Sequence, residues 1–280
     1  MTVGGWLKSC SLPRLEARML LQAATGLSRS QLITQDDRQL KTVEQAQLDA
    51  WVQARLQGQP MAYLLGEREF YGRPFHVSPS VLIPRPETEH LVEAAMAKIQ
   101  AAATETPKVW DLGTGSGIVA ITLALECPQA QVWASDVSVE ALAVAQTNAE
   151  QLSASVCFKA GSWFDAFVGE IPPFSLDVVV SNPPYIEPDD AHLALGDVRF
   201  EPKNALTDHI DGLSALTILA KGAPAFLKTG GWLLLEHGYD QGPAVRALLK
   251  RIGYRQVATE TDLAGLDRLS MGQWPGIVSF

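Results

Sequence analysis

The chain has 280 residues, of which 47% are hydrophobic and 19% are charged, and 22 basic against 31 acidic residues give it a formal net charge of −9. This length and composition allow one large domain or two domains with a buried core. A net negative chain is not steered to nucleic acid by its overall field, although a local basic patch could act against that trend. The net negative charge therefore favours a small molecule or another protein as the binding partner.

Cysteine and histidine usage argues against disulfides and metal sites. Cys10, Cys127 and Cys157 are far apart and form no CxxC pair, which is typical of a reducing compartment. The five histidines show no ligand spacing such as HExxH, so we predict no metal. The chain has neither a signal peptide pattern nor a run of about 18 apolar residues, so we expect a soluble cytoplasmic protein.

The first part of the chain, residues 1–66, has the pattern of a helical domain. Apolar residues recur at helical spacing after Pro13, and a second helix is predicted over residues 42–57, before Gly58 and Pro60. The apolar positions on one side of that second helix are Val43, Ala46, Ala50 and Ala54. Residues 67–86 are rich in glycine, proline and aromatic residues, which predicts a linker with short strands.

An α/β domain is predicted over residues 87–280, because strand-like apolar runs alternate with helical segments from Pro107 onward. Such alternation is typical of a doubly wound, mostly parallel sheet. In these sheets the ligand binds beyond the carboxyl ends of the strands, so the residues just after each run are the candidates for function. The runs are KVWD, VWASD, VCFKA, LDVVVSN, GWLLLEH, YRQVATE and a last strand near the C-terminus.

The first three strand ends carry residues suited to a nucleoside-containing ligand. After the first run the glycines fall as G-x-G-x-G over residues 113–117, and Ile118 breaks the G-x-G-x-x-G dinucleotide pattern. Asp136 ends the second run and could accept hydrogen bonds from both hydroxyls of a ribose, or only cap the next helix. Trp163 follows the third run and could lie against a purine ring or belong to the core.

The fourth run ends in Asn182-Pro183-Pro184-Tyr185. The prolines fix the backbone, and their carbonyls are held in place without a ladder role. Two acceptors could take the hydrogens of a planar NH₂ group while the tyrosine ring packs on its plane. The sequence therefore predicts a grip for an amide or an exocyclic amine.

DLGTGSG, the acid of ASD and NPPY at successive strand ends resemble the class I methyltransferases that use S-adenosylmethionine. NPPYIEP, LIPRPETEHLVE, and FEPKNAL followed by DGL narrow the resemblance to the HemK/PrmC family, the peptide-chain release factor glutamine N5-methyltransferases. It covers essentially the whole chain. It implies a seven-stranded sheet, a small N-terminal helical domain, and methylation of the glutamine in a Gly-Gly-Gln motif, with S-adenosylhomocysteine as the other product. Because a release factor is much larger than one glutamine side chain, we expect the separate helical domain to recognise it.

The resemblance also implies roles for single residues. Asp136 would hold the ribose, Trp163 would lie near the adenine, and Asn182 would border the cofactor as well as the substrate. The segment from Pro84 to Thr88 would border the cleft. The residues that would line the methionine part of the cofactor are Gly113, Thr114, Gly115, Ser116 and Gly117. The residues that would hold the substrate amide and carry the catalysis are Asn182, Pro183, Pro184 and Tyr185.

Three alternatives stay open at this point. An adenine-N6 nucleic-acid methyltransferase would use the same NPPY chemistry, but the acidic balance argues against it. A relative that methylates glutamine on a ribosomal protein is harder to separate, and a cofactor-binding scaffold without activity is the third. Glu236 and His237 follow the fifth strand and border the site or only shape the turn. Nothing in the sequence demands more than a monomer.

Overall fold

The computed structural model describes residues 1–276, which divide into two compact units. The smaller unit consists of Met1–Glu67 together with Ala194–Phe200, and the larger one consists of Arg68–Leu193 with the residues from Glu201 onward. Among the described residues, no helix is long and apolar enough to cross a membrane.

Helices make up the smaller unit, and they surround a core that includes Trp6, Leu20 and Leu48. Arg55 lies 2.8 Å from Glu16 and 3.0 Å from Asp197, so ion pairs join the segment 194–200 to the helices of this unit. The helices are α1 Val3–Ser9, α2 Arg14–Thr25, α3 Arg29–Thr34, α4 Thr42–Leu56 and α5 Met61–Leu65.

Helix α4 lies where the sequence predicts it, but it buries a different face. Val43, one of the apolar positions that suggested the helix, is 72% exposed, whereas Glu44 and Leu48 are buried. Glu44 can be buried because it accepts a hydrogen bond from the backbone N–H of Lys41 at 2.8 Å and pairs with Arg38 at 2.7 Å. A buried position near the start of the helix is thus occupied by a charged residue, which the pattern of apolar residues did not predict.

The larger unit contains a sheet in the order β5-β4-β3-β6-β7-β9-β8. Strands β5 to β7 in this order are parallel, and β9 runs antiparallel to both β7 and β8. This confirms the predicted doubly wound, mostly parallel sheet. The strands are β3 Lys108–Leu112, β4 Gln131–Asp136, β5 Cys157–Ala160, β6 Leu176–Ser181, β7 Leu227–Glu236, β8 Arg255–Thr261 and β9 Asp267–Gln273.

A short hairpin precedes this sheet, formed by β1 Glu67–Phe70 and β2 Arg73–His76. Tyr71 and Gly72 between the strands both have positive φ, the pattern of a type I′ turn, which matches the twist of a hairpin. Phe70 and Phe75 are fully buried in the core of the larger unit. The segment predicted as a linker therefore packs as part of that unit.

Helices cover both faces of the sheet because successive strand residues point to opposite sides. On β3, Val109 packs in one core and Trp110 in the other, and Val178 and Val179 divide in the same way on β6. Because β3 is parallel to both of its neighbours, the carboxyl ends of β3, β4 and β6 lie at one edge of the sheet. The remaining helices are α6 Thr88–Gln100, α7 Ile118–Glu126, α8 Val139–Leu152, α9 Lys203–Leu206, α10 Ser214–Gly222 and α11 Gly242–Ile252.

Candidate active site

A cavity of about 580 Å³ opens at this edge of the larger unit. Its volume lies within the roughly 300–1,000 Å³ typical of sites for small molecules and cofactors. The loops after β3, β4, β5 and β6 line it, together with the start of α6 and the segment before α9. The lining includes Gly113, Gly115, Asp136, Trp163, Asn182 and Pro184.

The glycine-rich loop between β3 and α7 forms one wall. The backbone N–H groups of Gly113 and Thr114 donate to the carbonyl oxygen of Ser135 at 2.8 and 3.0 Å, which holds the loop against the end of β4. Gly117 has a φ of +83°, and a Cβ there would lie 2.7 Å from Cδ1 of Ile121 and 3.1 Å from Cβ of Ala145. A side chain would therefore disturb the loop and its packing on α7 and α8.

Asp136 lies at the end of β4 and faces the cavity. Its Oδ2 accepts from the N–H of Gly115, and its Oδ1 accepts from the N–H of Ser138, both at 2.9 Å. Helix α8 is capped by Ser138, whose hydroxyl accepts from the N–H of Ala141 at 3.0 Å. Because each carboxylate oxygen has more than one lone-pair site, Asp136 keeps acceptors for two hydroxyl groups.

A second carboxyl group, Asp111, lies below the loop. It is buried, and its Oδ2 accepts from the hydroxyl of Thr114 at 2.7 Å. Burial raises the pKa of Asp111 to about 7, against the opposing effect of that hydrogen bond. Burial also raises the pKa of Asp136. Two acids with raised pKa values at one cavity are typical of a functional site.

Trp163 follows β5 and lines the cavity beside Gly113. A Cβ built on Gly113 would lie 3.5 Å from Cζ3 of Trp163, and the ring is only partly buried against the core that contains Trp110. Trp163 therefore contacts the core and also borders the cavity, and its place beside the adenine stays a prediction.

The NPPY residues divide between the cavity and the core. Asn182 and Pro184 line the cavity, whereas Pro183 is buried. Nδ2 of Asn182 donates to Oγ1 of Thr88 at 3.2 Å, which leaves Oδ1 as the group of this amide that can accept from a ligand. The ring of Tyr185 packs against the core, and its hydroxyl lies 3.4 Å from Oε1 of Glu236. Tyr185 is not among the residues that line the cavity, and the contact of its ring with the substrate amide stays a prediction.

The PRPET segment borders the cavity through Pro84, Arg85 and Thr88. Arg85 pairs with Glu201, whose carboxylate is buried and also accepts from the N–H of Ile83 at 3.0 Å. Sequence reasoning missed Glu201 because this acid lies more than a hundred positions from its partners. The stretch FEPKNAL contains Glu201, but it was noted only because it resembles the family and not because it indicated these contacts.

The site fits S-adenosylmethionine. It offers a glycine loop for close approach, an acid at the ribose position and an aromatic ring after β5. Among residues 1–276, no group of three or more His, Cys, Asp or Glu side chains could hold a metal ion. A doubly wound sheet with these strand ends defines a class I methyltransferase that depends on S-adenosylmethionine.

Comparison with known proteins narrows this class, and the chain belongs to the release factor glutamine methyltransferase family. The release factor glutamine methyltransferase of Neisseria gonorrhoeae is 53% identical, over 98% of each chain. The protein of the same name from Bordetella pertussis is 52% identical, over 93% of this chain and 95% of that one. The predicted family, enzyme class and cofactor are thereby confirmed.

Two family models match along the chain. One, described as the PrmC N-terminal domain, matches residues 7–66, and the other, described as the methyltransferase small domain, matches residues 88–205. A methyltransferase structure from Pyrococcus furiosus has a TM-score of 0.53 and 19% identity, covering 80% of this chain and 98% of that one. At this identity the likeness shows the fold alone.

Proposed function

We propose that the protein transfers a methyl group from S-adenosylmethionine to the side-chain amide nitrogen, N5, of a glutamine in a peptide-chain release factor, within a Gly-Gly-Gln motif. The observation that carries this proposal is that Asn182 and Pro184 line the same cavity as the glycine loop and Asp136. A planar amide held at the end of β6 would thus face the group bound at the ends of β3 and β4. The relatives' name specifies the release factor as their substrate.

An amide nitrogen is a poor nucleophile, because its lone pair is delocalised into the carbonyl group. S-adenosylmethionine supplies a sulfonium methyl, a strong electrophile, so what remains for the protein is alignment. In our proposal Oδ1 of Asn182 and the backbone carbonyl of Pro183 accept the two N–H hydrogens. Such preorganised dipoles also stabilise the positive charge that develops on nitrogen. Positioning of this kind contributes roughly 7–11 kcal/mol at best.

Pro183 and Pro184 contribute through the backbone. Neither residue has an N–H, and each ring fixes its own φ. The carbonyl of Tyr185 accepts from Nε2 of Gln241 at 2.9 Å, which holds the far end of the motif. The carbonyl of Pro183 is thus fixed from both sides without a large ordering cost when substrate binds.

In this proposal the helical unit is the contact surface for the release factor. The enzyme acts as a monomer in the cytoplasm, where translation terminates. The match of residues 7–66 to a domain of this family supports a role separate from the chemistry. A single glutamine side chain offers little surface, so a second contact can supply specificity that an amide pocket cannot.

The test is a transfer assay with labelled S-adenosylmethionine. One reaction contains a bacterial release factor, the second contains the same factor with its Gly-Gly-Gln glutamine changed to alanine, and the third contains duplex DNA. We expect label in the first reaction alone. Label on DNA with an untouched release factor would overturn the substrate and favour the adenine alternative, for which the NPPY chemistry is the same. Label in both protein reactions would place the methyl group on another residue.

A further inference from the structure

Arg85 is the only lysine, arginine or histidine among the described residues that line the cavity. The other charged side chains of the lining are the acids Asp111, Asp136 and Glu140. Arg85 has no part in the proposed transfer step, which uses the end of β6. A single cation placed at the wall of a ligand cavity is the kind of group that orients an anionic part of the ligand.

The backbone around Arg85 is rigid. Arg85 stands between Pro84 and Pro86, and each proline fixes its own φ and keeps the residue before it extended. The carbonyl oxygen of Arg85 accepts from the N–H of Thr88 at 3.1 Å, where α6 begins. The point from which the arginine side chain leaves the cavity wall is therefore set before any ligand binds.

The guanidinium group is held in turn by Glu201. Nη2 of Arg85 donates to Oε1 of Glu201, and Oε2 of Glu201 accepts from the N–H of Ile83 at 3.0 Å. The side chain of Glu201 has 0% relative exposure, whereas that of Arg85 keeps 33%. A guanidinium carries five N–H donors in one plane, so a carboxylate held at one edge leaves donors for a ligand at the open side.

The place of Arg85 can be related to the proposed transfer step. Thr88, which follows it at the start of α6, accepts from Nδ2 of Asn182 at 3.2 Å, so the segment 85–88 adjoins the amide proposed to face the methyl group. The sulfur of S-adenosylmethionine carries the methyl group, the ribose side and the methionine chain. With the ribose at Asp136 and the methyl group towards Asn182, the methionine chain remains, and it ends in the only anionic group of the cofactor.

We propose that Arg85 binds the α-carboxylate of the methionine part of S-adenosylmethionine, and that Glu201 is the positioning residue for its guanidinium. This inference rests on the proposed placement of the ribose at Asp136, but not on which protein is methylated. Arginine can bind a carboxylate through two parallel N–H donors, and such bonds between charged groups are stronger than neutral ones. The glycine loop would then hold the methionine chain along its length while Arg85 fixes its end.

The experiment measures binding by titration calorimetry, with no methyl acceptor present. Two ligands are compared, S-adenosylmethionine and decarboxylated S-adenosylmethionine, which differ only in the carboxylate. Arg85→Gln removes the charge, whereas Arg85→Lys keeps the charge but loses the planar donor group. Arg73→Gln is the matched control, because it breaks a partly exposed ion pair with Glu126, and neither of these residues lines the cavity.

We expect Arg85→Gln to weaken the binding of S-adenosylmethionine by about 10- to 100-fold, the range for a hydrogen bond between charged groups. The same variant should not weaken the binding of the decarboxylated ligand, which has no group for Arg85 to hold. The losses for Arg85→Lys and for Glu201→Gln should be smaller and again confined to S-adenosylmethionine. Arg73→Gln should bind both ligands as the wild type does.

Wild-type affinity of Arg85→Gln for S-adenosylmethionine would overturn the inference, and so would an equal loss for both ligands. If thermal unfolding shows that Arg85→Gln does not fold, Arg85→Lys decides by the same comparison. Equal affinity of the wild type for the two ligands would reject any carboxylate site. Since no acceptor is present, a protein that methylates no glutamine would reject the proposed function and leave this result unchanged.

Discussion

The backbone N–H of Gly115 donates to Oδ2 of Asp136 at 2.9 Å, so the ends of two neighbouring strands are tied together at the cavity. This bond means that the glycine loop and the proposed ribose acid keep a fixed spacing before any ligand binds. Preorganisation of this kind reduces the ordering cost of binding.

Asp136→Asn should weaken the binding of S-adenosylmethionine by about tenfold or more, since a hydrogen bond to a charged group contributes roughly 1.5–3 kcal/mol. The variant keeps the shape but loses the charge and one acceptor. Titration calorimetry with S-adenosylhomocysteine measures the effect. Asp165→Asn, an exposed acid in the segment after β5, is the control and should bind normally. Equal affinity for both variants would remove Asp136 from the cofactor site.

Asn182→Ala should lower the single-turnover rate of methyl transfer by about 10²–10³, as the loss of one preorganised catalytic dipole does. Asn182→Asp keeps the shape but replaces the NH₂ group that bonds Thr88 with an anionic oxygen, and it should be impaired too. In our proposal the cofactor is also held at the ends of β3 and β4, so binding should survive in both variants. Full turnover in either would contradict the assignment.

Gln241 holds three loops together behind the NPPY motif. Its Nε2 donates to the carbonyls of Tyr185 at 2.9 Å and Gly212 at 3.1 Å, and its Oε1 accepts from the N–H of Gly238 at 2.8 Å. Gln241→Ala leaves these groups unpaired and should reduce the free energy of unfolding by about 1–3 kcal/mol. Denaturant titration measures this loss.

The same substitution should raise KM for the release factor while cofactor affinity stays unchanged. Gln256→Ala, which removes an exposed hydrogen bond to Gln273, is the control for stability. A loss no larger than that of the control would show that Gln241 is not needed to hold the loops.

Asp111 predicts a pH dependence of stability. Its pKa is about 7 in the folded chain because of burial and returns to its ordinary lower value on unfolding. The folded state is therefore favoured below the unfolded pKa, and this advantage is lost as the pH rises towards about 7. Asp111→Asn should thus gain stability relative to the wild type with rising pH, by at most about 1.4 kcal/mol per pH unit between roughly pH 4 and 7.

Urea titrations of both proteins across this range measure the difference in the free energy of unfolding. The change in hydrogen bonding to Thr114 adds an offset that does not vary with pH. Parallel curves for wild type and variant would show that Asp111 ionises as easily in the folded chain as in the unfolded one.

Removal of residues 1–66 should raise KM for the whole release factor far more than for a short peptide that contains Gly-Gly-Gln. The reason is that a peptide presents only the amide and its nearest neighbours, which we propose that the larger unit holds. The two KM values, measured for the full chain and the shortened one, give the comparison. An equal rise for both substrates would count against a recognition role for the helical unit.

The strand ends explain why so much of the site could be predicted from the sequence. Asp136 ends an apolar run, and Gly113, Asn182 and Trp163 follow one within three residues, so the order of a parallel sheet brings them to one edge. Position along the chain was enough, since no side-chain partner had to be known.

The contacts that could not be predicted join residues far apart in the chain. Glu201 reaches Ile83 and Arg85, and Gln241 reaches Tyr185 and Gly212, without any local pattern that marks the pair. The orientation of Tyr185 was hidden for the same reason. Its hydroxyl lies 3.4 Å from Oε1 of Glu236, a buried acid at the end of the neighbouring strand, and no local pattern around Tyr185 indicates this partner.

The most direct test of the account locates the methyl group. Release factor treated with S-adenosylmethionine and either wild-type enzyme or Asn182→Ala is digested and sequenced by tandem mass spectrometry. We predict one added methyl on the side-chain nitrogen of the Gly-Gly-Gln glutamine with the wild type, and little or none with the variant in the same time. A methyl group on any other residue, or equal modification by the variant, would contradict the proposal that Asn182 holds this amide for transfer.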